Sequence, residues 1–503
     1  MQGRPFRSRP QLTLAPGRPH AVPWDRVGPA ADSLRELSAE KLRNASAQAN
    51  MASCAVLAWE PSDGSWESTG AHTGEWASTL PKLPDLSEVR AVLTDLDRQP
   101  PIDELYKCIF CLRQQVDVAS QAAEALIQSL TAFPPLACGG DLRSSSVLFR
   151  HECCYLLGQI GADSKDVGGV KTPVFLALLR VLEDEREDEV TRHEAAEGIA
   201  AVFNHNLDEE NFDYEAFDRQ LLAHSSRYSA TDDAQIEDRD VDEFRKNVRA
   251  HTSGGGGGPG HEPAAANSGI AGQEELRTRH FLRRNRRLMA ILDSYATQQA
   301  NSPLGETCYV ALQGLLRQRA RVCACQYRSF DPAIGDPTAV PEDIPRFLKV
   351  LAGEEAELYQ RYIAMFTLRN LNAVAELAQV LATDTRSAAL RHEIAFILGQ
   401  LEFTCENDGL SDAPAGAQSQ GQKRENVAVA ALIQNLGKLD EHPMVRHESA
   451  IALGSIGGAQ AKAALREFSA DPQPMVAESC LVALDTCAYW DSWEEAERRI
   501  NGE

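Results

Sequence analysis

LFRHECCYLLGQIG at residues 148–161 and ALRHEIAFILGQLE at residues 389–402 are two versions of one segment. Both open with Arg-His-Glu, carry Leu-Gly-Gln near the end, and repeat apolar residues at the spacing of an amphipathic helix. A polar, loop-like stretch precedes each version. The pattern predicts a helix that begins just before the tripeptide, twice in one chain.

The duplication extends over most of the sequence. KCIFCLR at 107–113 matches IAMFTLR at 363–369, TRHEAAEGIAAV at 191–202 matches VRHESAIALGSI at 445–456, and LDSYATQQANSPLGETCYVAL at 292–312 matches FSADPQPMVAESCLVAL at 468–484. All four segments keep their order in both halves. We therefore predict an all-α fold, an α-solenoid of about eight HEAT-like helical hairpins in two symmetric halves.

Stretches without this periodicity set the predicted domain boundaries. They indicate a mostly disordered N-terminal extension at 1–85, a first HEAT half at 86–323, a linker at 324–340, a second HEAT half at 341–490 and a C-terminal tail at 491–503. The low-complexity insertion 204–280, with HTSGGGGGPGHEP, and the loop insertion 403–425 interrupt the halves. A solenoid tolerates such loops because closure becomes more costly only slowly with length.

Composition narrows the class of protein and of partner. The formal net charge of −23 argues against nucleic acid and suits a basic protein partner. No apolar run is long enough for a membrane span. The twelve cysteines lie mostly in apolar helical patterns, which predicts free thiols and a cytoplasmic location. The first 24 residues lack the apolar core of a secretory signal, and a transit peptide is the alternative to a disordered tail.

The Arg-His-Glu tripeptide carries the chemistry. It occurs at 150–152, 192–194, 391–393 and 446–448, two copies per half at matching repeat positions. With twelve histidines in the chain, composition alone does not produce four copies. A fifth pair, His261-Glu262, lies in the glycine-rich insertion without the arginine, and we reject it as a ligand pair.

Paired imidazoles and carboxylates favour a metal site. Two histidines and one carboxylate suit non-haem iron and leave coordination positions open, and helical scaffolds build carboxylate-bridged metal pairs from several helices. The sequence therefore predicts two ions held by eight candidates: His151, Glu152, His193, Glu194, His392, Glu393, His447 and Glu448. The zinc-protease motif is absent, since the positions four residues after each histidine are Tyr155, Glu197, Phe396 and Ile451.

The metal site has an alternative in which the tripeptides are structural. The repeated tripeptides could form a ladder of hydrogen bonds along the solenoid, in a non-catalytic HEAT adaptor that binds a basic protein. The arginines of the tripeptides are expected to be structural, or to position the metal ligands without binding metal themselves. The repeated aromatic residues Tyr106, Phe110, Tyr362 and Phe366 are predicted to belong to the core.

The four His-Glu pairs, with LYQRYIAMFTLRN and EHPMVRHESAIALGSIG, resemble deoxyhypusine hydroxylase, a HEAT-repeat di-iron monooxygenase. The resemblance implies that Fe²⁺ and molecular oxygen convert a deoxyhypusine side chain on a translation factor to hypusine. It assigns His151, His193 and Glu194 to one iron and His392, His447 and Glu448 to the other. Glu152 and Glu393 would be catalytic, pairing with the substrate's ammonium groups. The extension and insertions depart from the compact family pattern.

Overall fold

The computed structural model describes residues 86–94, 100–114, 119–132, 146–163, 171–204, 219, 223, 285–317, 330–401 and 427–500. The predicted N-terminal extension, nearly all of the 204–280 insertion and the 403–425 insertion lie outside these ranges. Within them, no helix is both long and apolar enough to span a bilayer.

The described residues form two sets of four helical hairpins. The first set comprises α1 (Leu86–Thr94), α2 (Ile102–Gln114), α3 (Ala119–Ala132), α4 (Val147–Asp163), α5 (Lys171–Glu183), α6 (Glu189–Asn204), α7 (Arg286–Gln298) and α8 (Pro303–Arg317). The second comprises α9 (Ile344–Ala352), α10 (Leu358–Asn370), α11 (Val374–Thr383), α12 (Ala388–Leu401), α13 (Val427–Leu436), α14 (Pro443–Ile456), α15 (Gly458–Phe468) and α16 (Pro474–Ile500). The all-helical, duplicated fold predicted from the sequence is confirmed.

Two observed boundaries bear on the predicted division of the chain. Helix α16 continues to Ile500, past residue 490, where the second half was expected to end. Between the halves, residues 330–340 are not helical and run against α10. The backbone N–H of Asp336 donates a hydrogen bond to Thr367 Oγ1 on that helix at 2.8 Å.

The second helices of the hairpins form the inner layer of the solenoid. Helix α4 packs on α6, α12 on α14, and α14 on α16. Every residue of α14 from Met444 to Ile456 is buried, because neighbouring helices cover it on all sides. The outer helix α9 buries Phe347 and Leu351 and exposes its other face, as an amphipathic surface helix does. Polar residues on an inner helix therefore point into protein, not into bulk water.

The arginines of the tripeptides hold consecutive hairpins together. Arg446 donates its Nε–H to the carbonyl of Leu436, at the end of its own hairpin's first helix, at 2.8 Å. Its guanidinium also pairs with Asp471 in the next hairpin, at 2.5 Å. Arg150 and Arg391 form the same kind of bridge, to Glu187 and Glu441 respectively. The prediction that these arginines are structural agrees with these contacts, and they anchor the turns that precede the histidines.

Reciprocal contacts close the two halves on each other. Glu306 on α8 accepts hydrogen bonds from Ser387 Oγ at 2.9 Å and from the backbone N–H of Ala389, at the start of α12. Glu478, its counterpart on α16, accepts a hydrogen bond from Ser146 Oγ at 2.5 Å, at the start of α4. The last hairpin of each half thus caps the second hairpin of the other. This closure turns an open solenoid into a paired arrangement with the inner helices facing each other.

Glycine lets inner helices approach closely. A Cβ on Gly158 would lie 2.5 Å from the Cα of Gly198, so α4 and α6 nearly touch backbone to backbone. A Cβ on Gly454 would lie 2.7 Å from Ala483, so α14 and α16 also approach closely. The first contact fixes the spacing of two helices that carry histidines, and the second fixes α14 against its neighbour.

We predict that Gly158→Ala destabilises the protein by about 1–3 kcal/mol, because the new methyl group meets backbone that has no room to move. This loss outweighs the gain of about 1 kcal/mol that alanine offers over glycine within a helix. Urea unfolding measures the difference. Gly437→Ala is the matched control, since its nearest neighbours would lie 3.5 Å away. Equal stability of both variants would contradict the close packing.

We predict that Arg446→Met lowers the free energy of unfolding by about 3–5 kcal/mol, because it leaves the buried carboxylate of Asp471 unpaired. Thermal and urea unfolding measure this loss. Lys462→Met is the control: it breaks a pair with the exposed Asp491, worth at most about 1 kcal/mol. Similar losses in both variants would show that the bridge between hairpins is no stronger than a surface pair.

Candidate metal centre

Each of the four histidines occupies the same place in its helix. His151 is the fifth residue of α4, His193 of α6, His392 of α12 and His447 of α14, and a glutamate follows each one. Because the four helices belong to the inner layer and the halves close face to face, these equivalent positions meet. The structure brings all eight predicted residues into one buried region.

The four imidazole rings lie close together. The centroid of His151 is 4.9 Å from that of His447 and 6.0 Å from that of His392, and His193 and His392 are 5.2 Å apart. All four side chains are almost completely buried, with residue exposures of 6% or less. All three of these short distances join different halves, so the cluster is shared between them.

The buried imidazoles have donor atoms without partners. Among the described residues, none of the Nε2 atoms of His151, His193, His392 and His447 has a hydrogen-bond partner. An unsatisfied buried polar atom costs about 1–3 kcal/mol, and four of them directed into one space are rare in a folded core. A bound cation would satisfy all of them. This set of buried nitrogens with adjacent carboxylates has the chemistry of a transition-metal centre.

One glutamate in each half lies between that half's two histidines. Glu194 Oε2 is 3.2 Å from His151 Nε2 and 3.7 Å from His193 Nε2. Glu448 Oε2 is 3.6 Å from His392 Nε2 and 3.9 Å from His447 Nε2. The two halves therefore present the same two-histidine, one-carboxylate arrangement.

Groups of ligand atoms within 4.8 Å of one another follow this arrangement in part. His392, His447 and Glu448 form one such group, which coincides with the set expected for one iron. In the other half, His151 and His193 group with His392, and Glu194 groups with His193 and Glu197. In the first half, Glu197 therefore lies close enough to join the candidate metal ligands, although the sequence prediction did not include it.

The electrostatic state of the histidines suits ligation. Burial, and then the neighbouring imidazoles, lower the pKa of His193, His392 and His447 well below 6.5, so these rings are neutral at pH 7. His151 differs: burial lowers its pKa, but Glu194 and Glu152 more than compensate and raise it to about 10. Three rings are therefore ready to accept a metal, and the fourth holds a proton among the carboxylates.

The other two glutamates, Glu152 and Glu393, face a cavity beside the cluster. Glu152 Oε1 lies 3.4 Å from His151 Nδ1 and accepts a hydrogen bond from the Tyr106 hydroxyl. Burial, and then the negative charges of Asp331 and Glu194, raise the pKa of Glu393 to about 8. Neither residue belongs to a group of atoms at metal-ligand spacing. Six of the eight candidates thus belong to groups at metal-ligand spacing and two do not, and four of the six, His151, Glu194, His392 and Glu448, also line the cavity.

The cavity opens next to the histidines and has a volume of about 630 Å³ including its mouth. The residues one helical turn beyond each histidine line its wall: Tyr155, Glu197, Phe396 and Ile451. The rings of Tyr155 and Phe396, one from each half, face each other edge to face at 6.4 Å. Cavities of this size and mixed character hold small ligands or single side chains.

The linker between the halves supplies another part of the cavity wall. Phe330, Asp331 and Pro332 line it. The fully buried Arg369 holds Asp331 through two hydrogen bonds, of 3.0 and 2.5 Å. The carboxylate of Asp331 is thereby held in one position at the edge of the site.

Three residues of this site were not predicted from the sequence to belong to it. Glu197 was considered only as the place where a zinc protease would have its second histidine, although its spacing from His193 puts both on one helix face. Tyr106 is buried, as predicted for the core, but it also lines the cavity and bonds Glu152. Asp331 lies in a linker without periodicity, where the repeat pattern offers no signal.

Comparisons with known proteins agree with this fold. The PBS lyase HEAT-like repeat family matches residues 445–471, which cover most of α14 and all of α15. The chain is 37% identical to deoxyhypusine hydroxylase of Rattus norvegicus over 41% of this chain and 61% of the relative. It is 35% identical to deoxyhypusine hydroxylase-B of Oryza sativa subsp. japonica, over 37% of this chain and 55% of the relative.

Longer alignments exist at lower identity. The deoxyhypusine hydroxylase of Drosophila pseudoobscura pseudoobscura is 25% identical over 81% of this chain and 93% of the relative. The structure of human deoxyhypusine hydroxylase in complex with glycerol superimposes with a TM-score of 0.50 and 24% identity, over 80% of this chain and 96% of that one. The structural match supports the fold.

The more similar relatives align over limited lengths. The chain spans 55–62% of the length of the rice, rat and mouse proteins. Taken together with the matches at greater length and the repeat family, these similarities confirm the resemblance predicted from the sequence: the chain is similar to deoxyhypusine hydroxylases and contains a HEAT-like repeat.

Proposed function

We propose that this chain hydroxylates a deoxyhypusine side chain on a translation factor, with two Fe²⁺ ions and molecular oxygen. One observation carries the proposal: four equivalent buried histidines from two halves direct unpartnered Nε2 atoms into one shared space. The relatives whose names describe this activity point to the same chemistry.

The six candidates at metal-ligand spacing would hold the ions. His151, His193 and Glu194 would bind one iron. His392, His447 and Glu448 would bind the other. Two histidines and one carboxylate per ion leave open positions for oxygen, which is the arrangement of non-haem iron oxygenases. When bound, the irons would supply the activation of oxygen that inserts one atom into a C–H bond.

The protein's own residues would bind and orient the substrate. A deoxyhypusine side chain is a long polyamine, and Glu152 and Glu393 would pair with its ammonium groups at the cavity. The Tyr106 hydroxyl holds the carboxylate of Glu152, which fixes its direction. Tyr155 and Phe396 would enclose the apolar methylene groups of the chain and keep water from them. Such positioning brings one C–H bond to the reacting centre.

The properties of the whole molecule fit this substrate. The net charge of −23 attracts a cationic side chain and a basic partner surface. The seven cysteines in the described ranges are buried and form no disulfide with one another, which supports the proposed cytoplasmic location, since reducing compartments keep cysteines as thiols.

We predict that the purified chain binds about two irons and that His151→Ala or His447→Ala loses at least half of them, because each substitution removes a ligand from the shared cluster. Metal analysis after anaerobic loading with ferrous iron measures the content. His442→Ala is the matched control, since His442 caps α14 outside the cluster. A wild-type chain that takes up no iron would favour the non-catalytic adaptor.

We predict that the iron-loaded chain adds one oxygen atom to a deoxyhypusine-bearing translation factor, read as a 16-dalton gain by mass spectrometry of the modified peptide. Glu393→Gln should lower turnover about 100-fold or more through lost positioning, while the iron content stays near that of the wild type. Glu448→Gln should lower both turnover and iron content. Equal iron loss in the two variants would contradict the separate roles of these carboxylates.

A further inference from the structure

The cavity departs from two-fold symmetry at several positions, and one of them is acidic in one half only. One turn beyond the second histidine of each half, α6 has Glu197 and α14 has Ile451, and both residues line the cavity. One half therefore has a carboxylate where the other has a hydrocarbon. The two-histidine, one-carboxylate set is the same in both halves, so Glu197 is an addition to the first half, within 4.8 Å of ligand atoms of His193 and Glu194 and on the wall of the cavity.

A second departure is a glutamine. Gln159 on α4 is 5% exposed and lines the cavity, and its Oε1 atom has no hydrogen-bond partner among the described residues. Its counterpart Gln400 on α12 accepts a hydrogen bond from Arg369 at 3.3 Å and is not part of the cavity wall. Only the first half thus offers an unpaired amide oxygen to a ligand.

Helix packing brings these two residues to the same wall. Gly158 and Gly198, the residues next to Gln159 and Glu197 in sequence, are in contact across α4 and α6. Gln159 and Glu197 therefore lie on adjacent helices, each next to the residue at which the two backbones nearly touch, and both line the cavity.

This wall is rich in acidic groups. Burial, and then the carboxylates of Glu393, Glu194 and Asp331, raise the pKa of Glu197 well above its usual value. Like charges in a poorly solvated space repel each other strongly, and a cation removes that repulsion. An ammonium group also supplies N–H donors, which is what the unpaired Gln159 oxygen requires.

We propose that Gln159 and Glu197, with Glu393 opposite, form a subsite for an ammonium group of the substrate's polyamine chain. The inference rests on the proposed function and adds a direction to it: the amine end enters the first-half wall, and Ile451 on the other wall contacts methylene groups. Glu197 and Gln159 are positioning residues, and the two halves are not interchangeable for the substrate.

Calorimetry with 1,4-diaminobutane and the full-length, iron-loaded protein tests the subsite. We expect Glu197→Gln to raise the Kd for the diamine about tenfold or more, and Gln159→Leu to raise it about threefold to tenfold, because each variant loses one polar contact to a cation. Gln313→Leu is the matched control, since Gln313 is also buried with an unpaired Oε1 but lies outside the cavity. Its Kd should match that of the wild type.

Iron content and steady-state kinetics complete the test. With the deoxyhypusine-bearing substrate, Glu197→Gln should raise KM more than it lowers kcat, with unchanged iron content. Loss of iron in this variant would make Glu197 a metal ligand and overturn the subsite, as would an unchanged Kd. A wild-type chain that binds the diamine with this variant pattern but hydroxylates nothing would overturn the proposed function and leave the subsite standing.

Discussion

Four imidazoles whose Nε2 atoms have no hydrogen-bond partner among the described residues are buried in one small space beside several carboxylates, and the rest of the structure has to offset the cost of this arrangement. Each unsatisfied group costs free energy, and like charges raise the cost further. The surrounding protein offsets this with inner helices buried on all sides, such as α14, and with arginine bridges between hairpins, such as Arg446 to Asp471. Packing of the surrounding helices therefore keeps these nitrogens buried in one space, although they have no hydrogen-bond partner there.

The closure of the halves determines which residues meet. Within one half, α4 and α6 bring two histidines together, but only the facing half completes the cluster, since His151 lies closer to His447 than to His193. The contacts of Glu306 with Ser387 and of Glu478 with Ser146 join the helix starts that precede the histidines. Local helix geometry and the assembly of the halves thus act on the same few residues.

Much of this arrangement could be predicted from the sequence, because duplication makes equivalent positions visible. The helical hairpins, their order and the convergence of the tripeptides follow from repeats and periodicity. The roles within each His-Glu pair could not be derived this way. Glu152 and Glu194 look alike in sequence, and only packing between halves places the first at the cavity and the second between two histidines.

Residues that differ between the repeats were harder to recognise for the opposite reason. A repeat pattern draws attention to what is shared, so Glu197 opposite Ile451 reads as ordinary variation until the cavity shows where both side chains lie. Asp331 was beyond reach because the linker has no period, and its position depends on the buried Arg369 of another element. The resemblance to a known family supplied the division of ligands between two ions.

The reciprocal glutamate–serine closure has an evolutionary consequence. Contacts in which each unit offers the other the same pair of groups are those of an isologous dimer. A half-length ancestor could have built the same centre by self-association, with both copies bound to remain identical. Fusion into a single polypeptide released that constraint: either arm could then acquire mutations independently while the shared centre was preserved.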